Sequence, residues 1–151
     1  MASWRDFEEA APDLAELGSK LMFRGIAYLS TIRADGGPRV HPFTPLLEGG
    51  RLFAAIPLRT PKGRDLLRDP RYMIHALPGQ SDAEFSVRGT AREAGAERSL
   101  AVRAAERSGA GGLVESARKD AIFEFDIERA DWAVWRNVGQ PGTYPDRRTW
   151  P

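Results

Sequence analysis

From Gly25 onward the chain alternates short runs of apolar and β-forming residues with strong turn chemistry, a spacing that points to an antiparallel sheet. Ile26 to Arg33, Arg39 to Leu47 and Arg51 to Ile56 read as three strands, joined through Asp35-Gly36-Gly37-Pro38 and Glu48-Gly49-Gly50 as a meander. Further strands are expected over Arg71 to Leu77, Glu84 to Arg92, Ala121 to Ile127 and Trp132 to Val138, with Pro78 to Asp82 forming a turn.

Helical spacing appears at the connections. Phe7, Ala10, Ala11, Leu14, Leu17 and Leu21 recur three and four apart, which predicts an amphipathic helix over Phe7 to Met22; Pro12 suits a first turn and places the main start near Ala11. A second helix opens at Thr60 and ends near Asp69-Pro70, because the residue before proline is pushed out of the helical region. Ala96 to Arg107 reads as a third, with Leu100 and Ala104 turned inward and Val102 a further candidate. Ser108 to Gly112 is a loop, Leu113 to Arg118 a short helical segment, and the proline- and glycine-rich tail from about Gly139 is expected to be irregular. With 151 residues and no composition break, the expectation is a single domain over residues 1–151. Its class is α+β, a mainly antiparallel sheet closing into a barrel with two or three peripheral helices. A barrel this small is filled by side chains, so a ligand would bind outside it, in a groove or at a subunit interface.

Composition narrows the partners. A net charge of +1 argues against a polyanion such as nucleic acid and in favour of a small molecule. The absence of cysteine excludes disulfides, thiolate metal sites and a cysteine nucleophile. Met1 to Glu9 has neither the basic start nor the apolar run of a signal peptide, and no segment reaches membrane-spanning length, so a cytoplasmic protein with no membrane partner is expected.

The segment most informative for function is Arg59-Thr60-Pro61-Lys62-Gly63-Arg64-Asp65-Leu66. Thr60 is a favourable N-cap, and Pro61 fits the first helical position, where its missing N–H costs nothing. Arg59, Lys62 and Arg64 gather positive charge around first-turn amides that already favour an anion, so a phosphate could sit there. Only Lys20, Lys62 and Lys119 among the 22 basic residues are lysines, which makes a compact ammonium at this position a less routine choice.

Taken in order, these motifs resemble the pyridoxamine 5'-phosphate oxidase-like superfamily of flavin-binding split β-barrels, over roughly Leu21 to Ile127. The likeness rests on Gly25 to Ile32, Pro38-Arg39-Val40-His41-Pro42, Leu52-Phe53, Thr60-Pro61-Lys62 with Arg64-Asp65-Leu66, Asp69-Pro70-Arg71, Val87 to Ala91 and Phe123 to Ile127. The resemblance implies a homodimer binding flavin mononucleotide (FMN) at the subunit interface. Thr60, Pro61 and Lys62 would lie at the phosphate, with Arg39, Val40, His41 and Pro42 at the ring and phosphate. The family often places arginine where Pro61 stands; Arg59 or Arg64 could supply that guanidinium. The implied activity is a flavin-dependent oxidoreductase acting on a small organic substrate, with reduced nicotinamide a candidate donor. A deazaflavin-dependent reductase and a non-catalytic dimer binding flavin or haem are the alternatives. The arginine- and histidine-containing C-terminal stretch of the founding oxidase is missing, which argues against vitamin B6 oxidation.

His41 and His75, the only histidines, lack the close spacing of metal ligands, and no metal site is expected. No Gly-x-Ser-x-Gly elbow is present for a serine hydrolase. Trp132 and Trp135, three apart on a strand, should face opposite sides of the sheet.

Overall fold

In the computed structural model, which describes residues 1–108 and 120–151, eight antiparallel strands form one sheet with α-helices packed on it. The expected short helix at Leu113 to Arg118 lies outside the described residues.

The first helical pattern divides in two: α1 spans Trp4–Ala10 and α2 spans Pro12–Met22. Ala11 adopts φ −144° and ψ 64° between them, as a residue excluded from the helical region by a following proline must. Ser3 and Asp6 form a capping box at the start of α1. Trp4 and Phe7 on α1 are fully buried, their rings edge to face with centroids 5.4 Å apart, and the Phe7 ring centroid lies 5.1 Å from that of Trp150.

β1 (Ala27–Ile32), β2 (Pro38–Phe43), β3 (Leu46–Glu48) and β4 (Arg51–Ile56) follow, then α3 (Pro61–Arg68), β5 (Arg71–Ala76), a 3₁₀ turn at Gln80–Asp82, β6 (Glu84–Glu93), α4 (Ala96–Ser108), β7 (Ala121–Arg136) and β8 (Tyr144–Trp150). The sheet order is β2-β1-β5-β6-β7-β4-β3, with β8 joining β7. The run expected as one strand over Arg39 to Leu47 therefore breaks at Thr44-Pro45, where the chain passes from one edge of the sheet to the other. The sheet is curled: Phe43 on edge strand β2 sits 6.2 Å from Phe125 on β7, and Tyr72 on β5 stacks edge-on against the same ring at 4.8 Å. The core inside this curl is apolar, with Leu29, Leu52, Ile74 and Phe85 fully buried.

Two further departures come from β7. It joins the two strands expected over Ala121 to Ile127 and Trp132 to Val138 into one, because β6 pairs along its length and a bulge opposite Arg88 and Gly89 absorbs the extra residue. At that bulge a side chain at Gly89 would place its Cβ 2.0 Å from the Asp126 carbonyl oxygen, so only glycine fits. Ala121 to Phe125 pair with β4, and Ala130 to Arg136 pair with β8. The second half of β7 thus offers a free edge that the tail, expected to be irregular, fills as a strand. On α4 it is Val102, 1% exposed, that packs inward, whereas Leu100 is 66% exposed and Ala104 also faces solvent. Trp132 is buried and Trp135 is exposed, on opposite faces as the spacing requires.

Candidate functional site

The start of α3 lies against edge strand β2, which brings the two segments singled out in the sequence into one corner. Thr60 is extended at φ −78° and ψ 155°, and its Oγ1 accepts the Gly63 N–H at 3.3 Å while donating to the Pro57 carbonyl at 2.7 Å. Pro61 occupies the first helical position. Gly63 is required by the tight approach of the β4–α3 connection: a Cβ there would lie 2.6 Å from the Pro57 carbonyl oxygen.

Lys62 reaches from the helix to the strand, its Nζ donating to the Pro42 carbonyl at 3.1 Å. Burial holds this ammonium's pKa below its ordinary value, with the negative charge of Asp120 opposing that shift. Asp120 is 9% exposed, and its Oδ1 has no hydrogen-bond partner among the described residues.

Arg39 and His41 point toward α3, while Val40 and Pro42 alternate to the outer face, where Val40 is 59% exposed. The arrangement gives Arg39 a task the sequence did not suggest. Its Nε donates to Asp65 Oδ2 at 2.7 Å, in a carboxylate that also accepts from Thr31 Oγ1 at 3.0 Å and from Arg68 at 3.1 Å. The expected direct phosphate ligand is thus a partner of Asp65, and its terminal guanidinium nitrogens alone remain without hydrogen bonds among the described residues. Burial pushes the Asp65 pKa up, but the bonds from Arg39, Arg68 and Thr31 outweigh it and keep the carboxyl below its ordinary range.

His41 is half-buried, and its Nε2 is enclosed with no hydrogen-bond partner. Burial, then the positive charges of Lys62 and Arg39, lower its pKa against the pull of Asp65, so the imidazole is neutral at pH 7. Arg64 donates to the Arg59 carbonyl at 2.7 Å and so lies beside the helix start. The structure brings Arg39, His41, the Pro42 carbonyl, Thr60, Lys62 and Arg64 to one corner and leaves the Val40 side chain on the opposite face of the strand. Thr31, Asp65 and Asp120 belong to the same corner and were not singled out. Asp65 did carry a signal, since it sits beside Leu66 on the inward stripe of a short helix, where an unpaired carboxylate is not tolerated.

No family model matches the sequence, and no curated protein matches it. Solved structures do. The heme binding protein from Mycobacterium smegmatis is 23% identical with a TM-score of 0.68, over 91% of this chain; the chain spans only 58% of that protein's length. HutZ, the heme storage protein from Vibrio cholerae, is 17% identical with a TM-score of 0.64, over 78% of this chain and 89% of HutZ. A structure named as an F420 reductase is 16% identical with a TM-score of 0.56, over 74% of this chain and 94% of that one. At these identities the likeness establishes the fold, an α+β split β-barrel, as the sequence resemblance implied. Among the described residues no helix is long and apolar enough to cross a membrane.

Proposed function

We propose that the chain binds FMN at the corner between α3 and β2, as a homodimer, and works as a cytoplasmic flavin-dependent oxidoreductase on a small organic substrate. The observation that carries this reading is the placement of Lys62, which bridges the start of α3 and the backbone of β2. An anion at the helix start would be met by the Lys62 ammonium and by the exposed guanidiniums of Arg59 and Arg64. The enclosed, unpartnered His41 Nε2 fits the same group, because a neutral imidazole in this corner can exchange a hydrogen bond with a polar edge of a bound ring. The negative charge of Asp120 tempers the local positive charge around Lys62.

FMN, when bound, takes up and returns an electron pair; the protein holds and orients it. Lys62, through its ammonium and its backbone N–H, would bind the phosphate, with Thr60 fixing the helix start by its cap, and Arg39, fixed by Asp65, would present its free terminal nitrogens from the β2 side. Dimerisation is supported by the outer face of β1, β2 and β5, where Tyr28, Val40 and Met73 are 43%, 59% and 40% exposed and lie on adjacent strands. Exposed apolar side chains on adjacent strands favour that reading.

A deazaflavin is the alternative cofactor, favoured by the likeness to the F420 reductase. A haem-binding carrier is the second reading, favoured by the two heme proteins among the structural neighbours. Fluorescence and visible-absorbance titrations with FMN, a deazaflavin and haem separate the three. The proposal expects saturable FMN binding weakened about 10-fold or more in Lys62→Ala, given ~1.5–3 kcal/mol for charge-assisted bonds. Haem binding alone, unchanged in Lys62→Ala, would overturn it.

A further inference from the structure

The face of β4 and β7 turned away from the main core carries a second, smaller one, in which Phe53, Ala94 and Ile122 pack against Val102 of α4. Because strand side chains alternate, Leu46 and Glu48 on β3 point to this same face as Arg51 and Phe53, their partners on β4. A cavity of about 240 Å³ opens beside it, between α4 and the β3–β4 turn. Phe53, Ala101 and Val102 form its apolar wall, and Glu48, Arg51 and Arg98 its charged one. The cavity sits at the first residues of β4, whereas α3 follows from the far end of that strand, beyond Ile56. None of its residues belongs to the α3–β2 corner or to the exposed face of β1, β2 and β5.

The charges of this wall are only partly used. Glu124, 1% exposed, accepts from Arg51 Nη1 at 2.5 Å and from Arg98 Nη1 at 2.6 Å, and it pairs with Arg92 at 2.8 Å. Arg92 also pairs with Asp126. Three guanidiniums thus share two carboxylates, and one positive charge is left over. Arg51 and Arg98 each spend a single terminal nitrogen on Glu124; their Nε and second terminal nitrogens have no hydrogen bond among the described residues. Glu48 is the reverse case. It stands directly across from Arg51 in the strand register, yet Arg51 is drawn to Glu124. The half-buried Glu48 carboxylate makes no ion pair or hydrogen bond among the described residues, and the nearby Arg5 donates instead to the Gly49 carbonyl at 3.3 Å. The cavity therefore offers half-used guanidiniums, an unused carboxylate and an apolar wall, which together complement a small molecule that carries one charge of each sign.

We propose that this cavity binds a free amino acid with a small apolar side chain, its carboxylate held by Arg51 and Arg98, its ammonium by Glu48 and its side chain against Ala101 and Val102. Pockets for drug-sized ligands begin at about 300 Å³, so this smaller one suits an amino acid and is too small for a nucleotide or a flavin. Glu124 keeps both guanidinium forks at the cavity wall, and Glu48 selects against simple carboxylates, which would place an anion beside it with nothing to pair it.

The test is a titration of the ¹⁵N-labelled protein, following amide shifts, with L-valine and with isovalerate and isobutylamine, which are valine without its ammonium and without its carboxylate. The expected result is saturable shifts at Gly49, Phe53 and Ala101 with valine, and binding about 10-fold or more weaker for either analogue, since each lacks one charge-assisted contact. Glu48→Gln should weaken valine by a similar factor without weakening isovalerate. Glu48 has no partner to lose, so this variant keeps the wild-type Tm and FMN affinity. Arg98→Lys, which retains a cation for Glu124, should weaken valine and isovalerate alike, and Lys62→Ala should leave valine binding unchanged. Absence of saturable shifts around the cavity with valine, isovalerate binding as tightly as valine, or valine affinity that survives Glu48→Gln overturns the proposal.

Discussion

Replacing Asp65 with alanine tests how the corner is held together. Its carboxylate, 4% exposed, takes hydrogen bonds from Thr31, Arg39 and Arg68. Alanine would leave the Thr31 hydroxyl, itself fully buried, without a partner and the Arg39 guanidinium without its counter-charge. Breaking a buried pair costs about 3–5 kcal/mol. The arginines keep 30% and 41% of their side-chain surface in water, and their solvation lowers the loss to roughly 2–4 kcal/mol. For a chain of this size that is a fall in Tm on the order of 10 °C. Asp65→Asn, which retains an acceptor for Thr31, should lose roughly half as much. Because the folded carboxyl titrates below its unfolded value of 3.8, its stabilisation is full above that value and disappears as pH falls through the folded pKa. Urea and thermal unfolding followed by circular dichroism, at pH 7 and through the acid range, should show the wild type losing that increment and Asp65→Ala having none to lose. A loss below about 1 kcal/mol, or an unchanged acid slope in Asp65→Ala, would refute the reasoning.

Gly63→Ala should destabilise by about 1–2 kcal/mol despite alanine's better helix propensity, because its Cβ would meet the Pro57 carbonyl oxygen at 2.6 Å and the Leu58 Cα at 3.0 Å; the same variant, checked by flavin titration, should bind FMN more weakly as the helix start shifts. Thr60→Ala should cost about 1 kcal/mol in urea unfolding and Thr60→Ser almost nothing, since serine caps as well. Glu124→Gln should cost roughly 1–2 kcal/mol, for this carboxylate is 1% exposed and pairs with Arg51, Arg92 and Arg98 at 2.5, 2.8 and 2.6 Å, while those arginines stay partly in water and glutamine keeps an acceptor. Arg98 belongs to α4, so hydrogen exchange should accelerate in that helix first.

The sheet was legible because its signals are local: alternating apolar positions and glycine-rich turns identify β1, β4, β5 and β6 within a residue or so. What escaped was set by pairing at a distance. Nothing within Gln140 to Trp150 announces a strand; β8 exists because the second half of β7 has an edge free beyond β4 and because Trp150 packs on Phe7. The unbroken β7 likewise depends on β6, whose pairing spans the interval between the two strands expected there. On α4, Leu100 was favoured over Val102 by size and spacing, yet the face that meets Phe53 and Ile122 is the one carrying Val102. The corner shows the same division. Thr60, Pro61 and Lys62 were readable from capping chemistry. That Arg39 is tied to Asp65 was not, because 26 residues separate them and only the packing of α3 on β1, the strand beside β2, brings them together.

The central claim is that the α3–β2 corner holds a phosphate, and comparing FMN with riboflavin, identical but for that phosphate, tests it most directly. With ~1.5–3 kcal/mol for charge-assisted bonds at Lys62 and the helix start, FMN should bind about 10- to 150-fold more tightly than riboflavin, and Lys62→Ala should erase most of that margin while leaving riboflavin affinity unchanged. Equal affinity for the two, or a margin that survives Lys62→Ala, would contradict the claim.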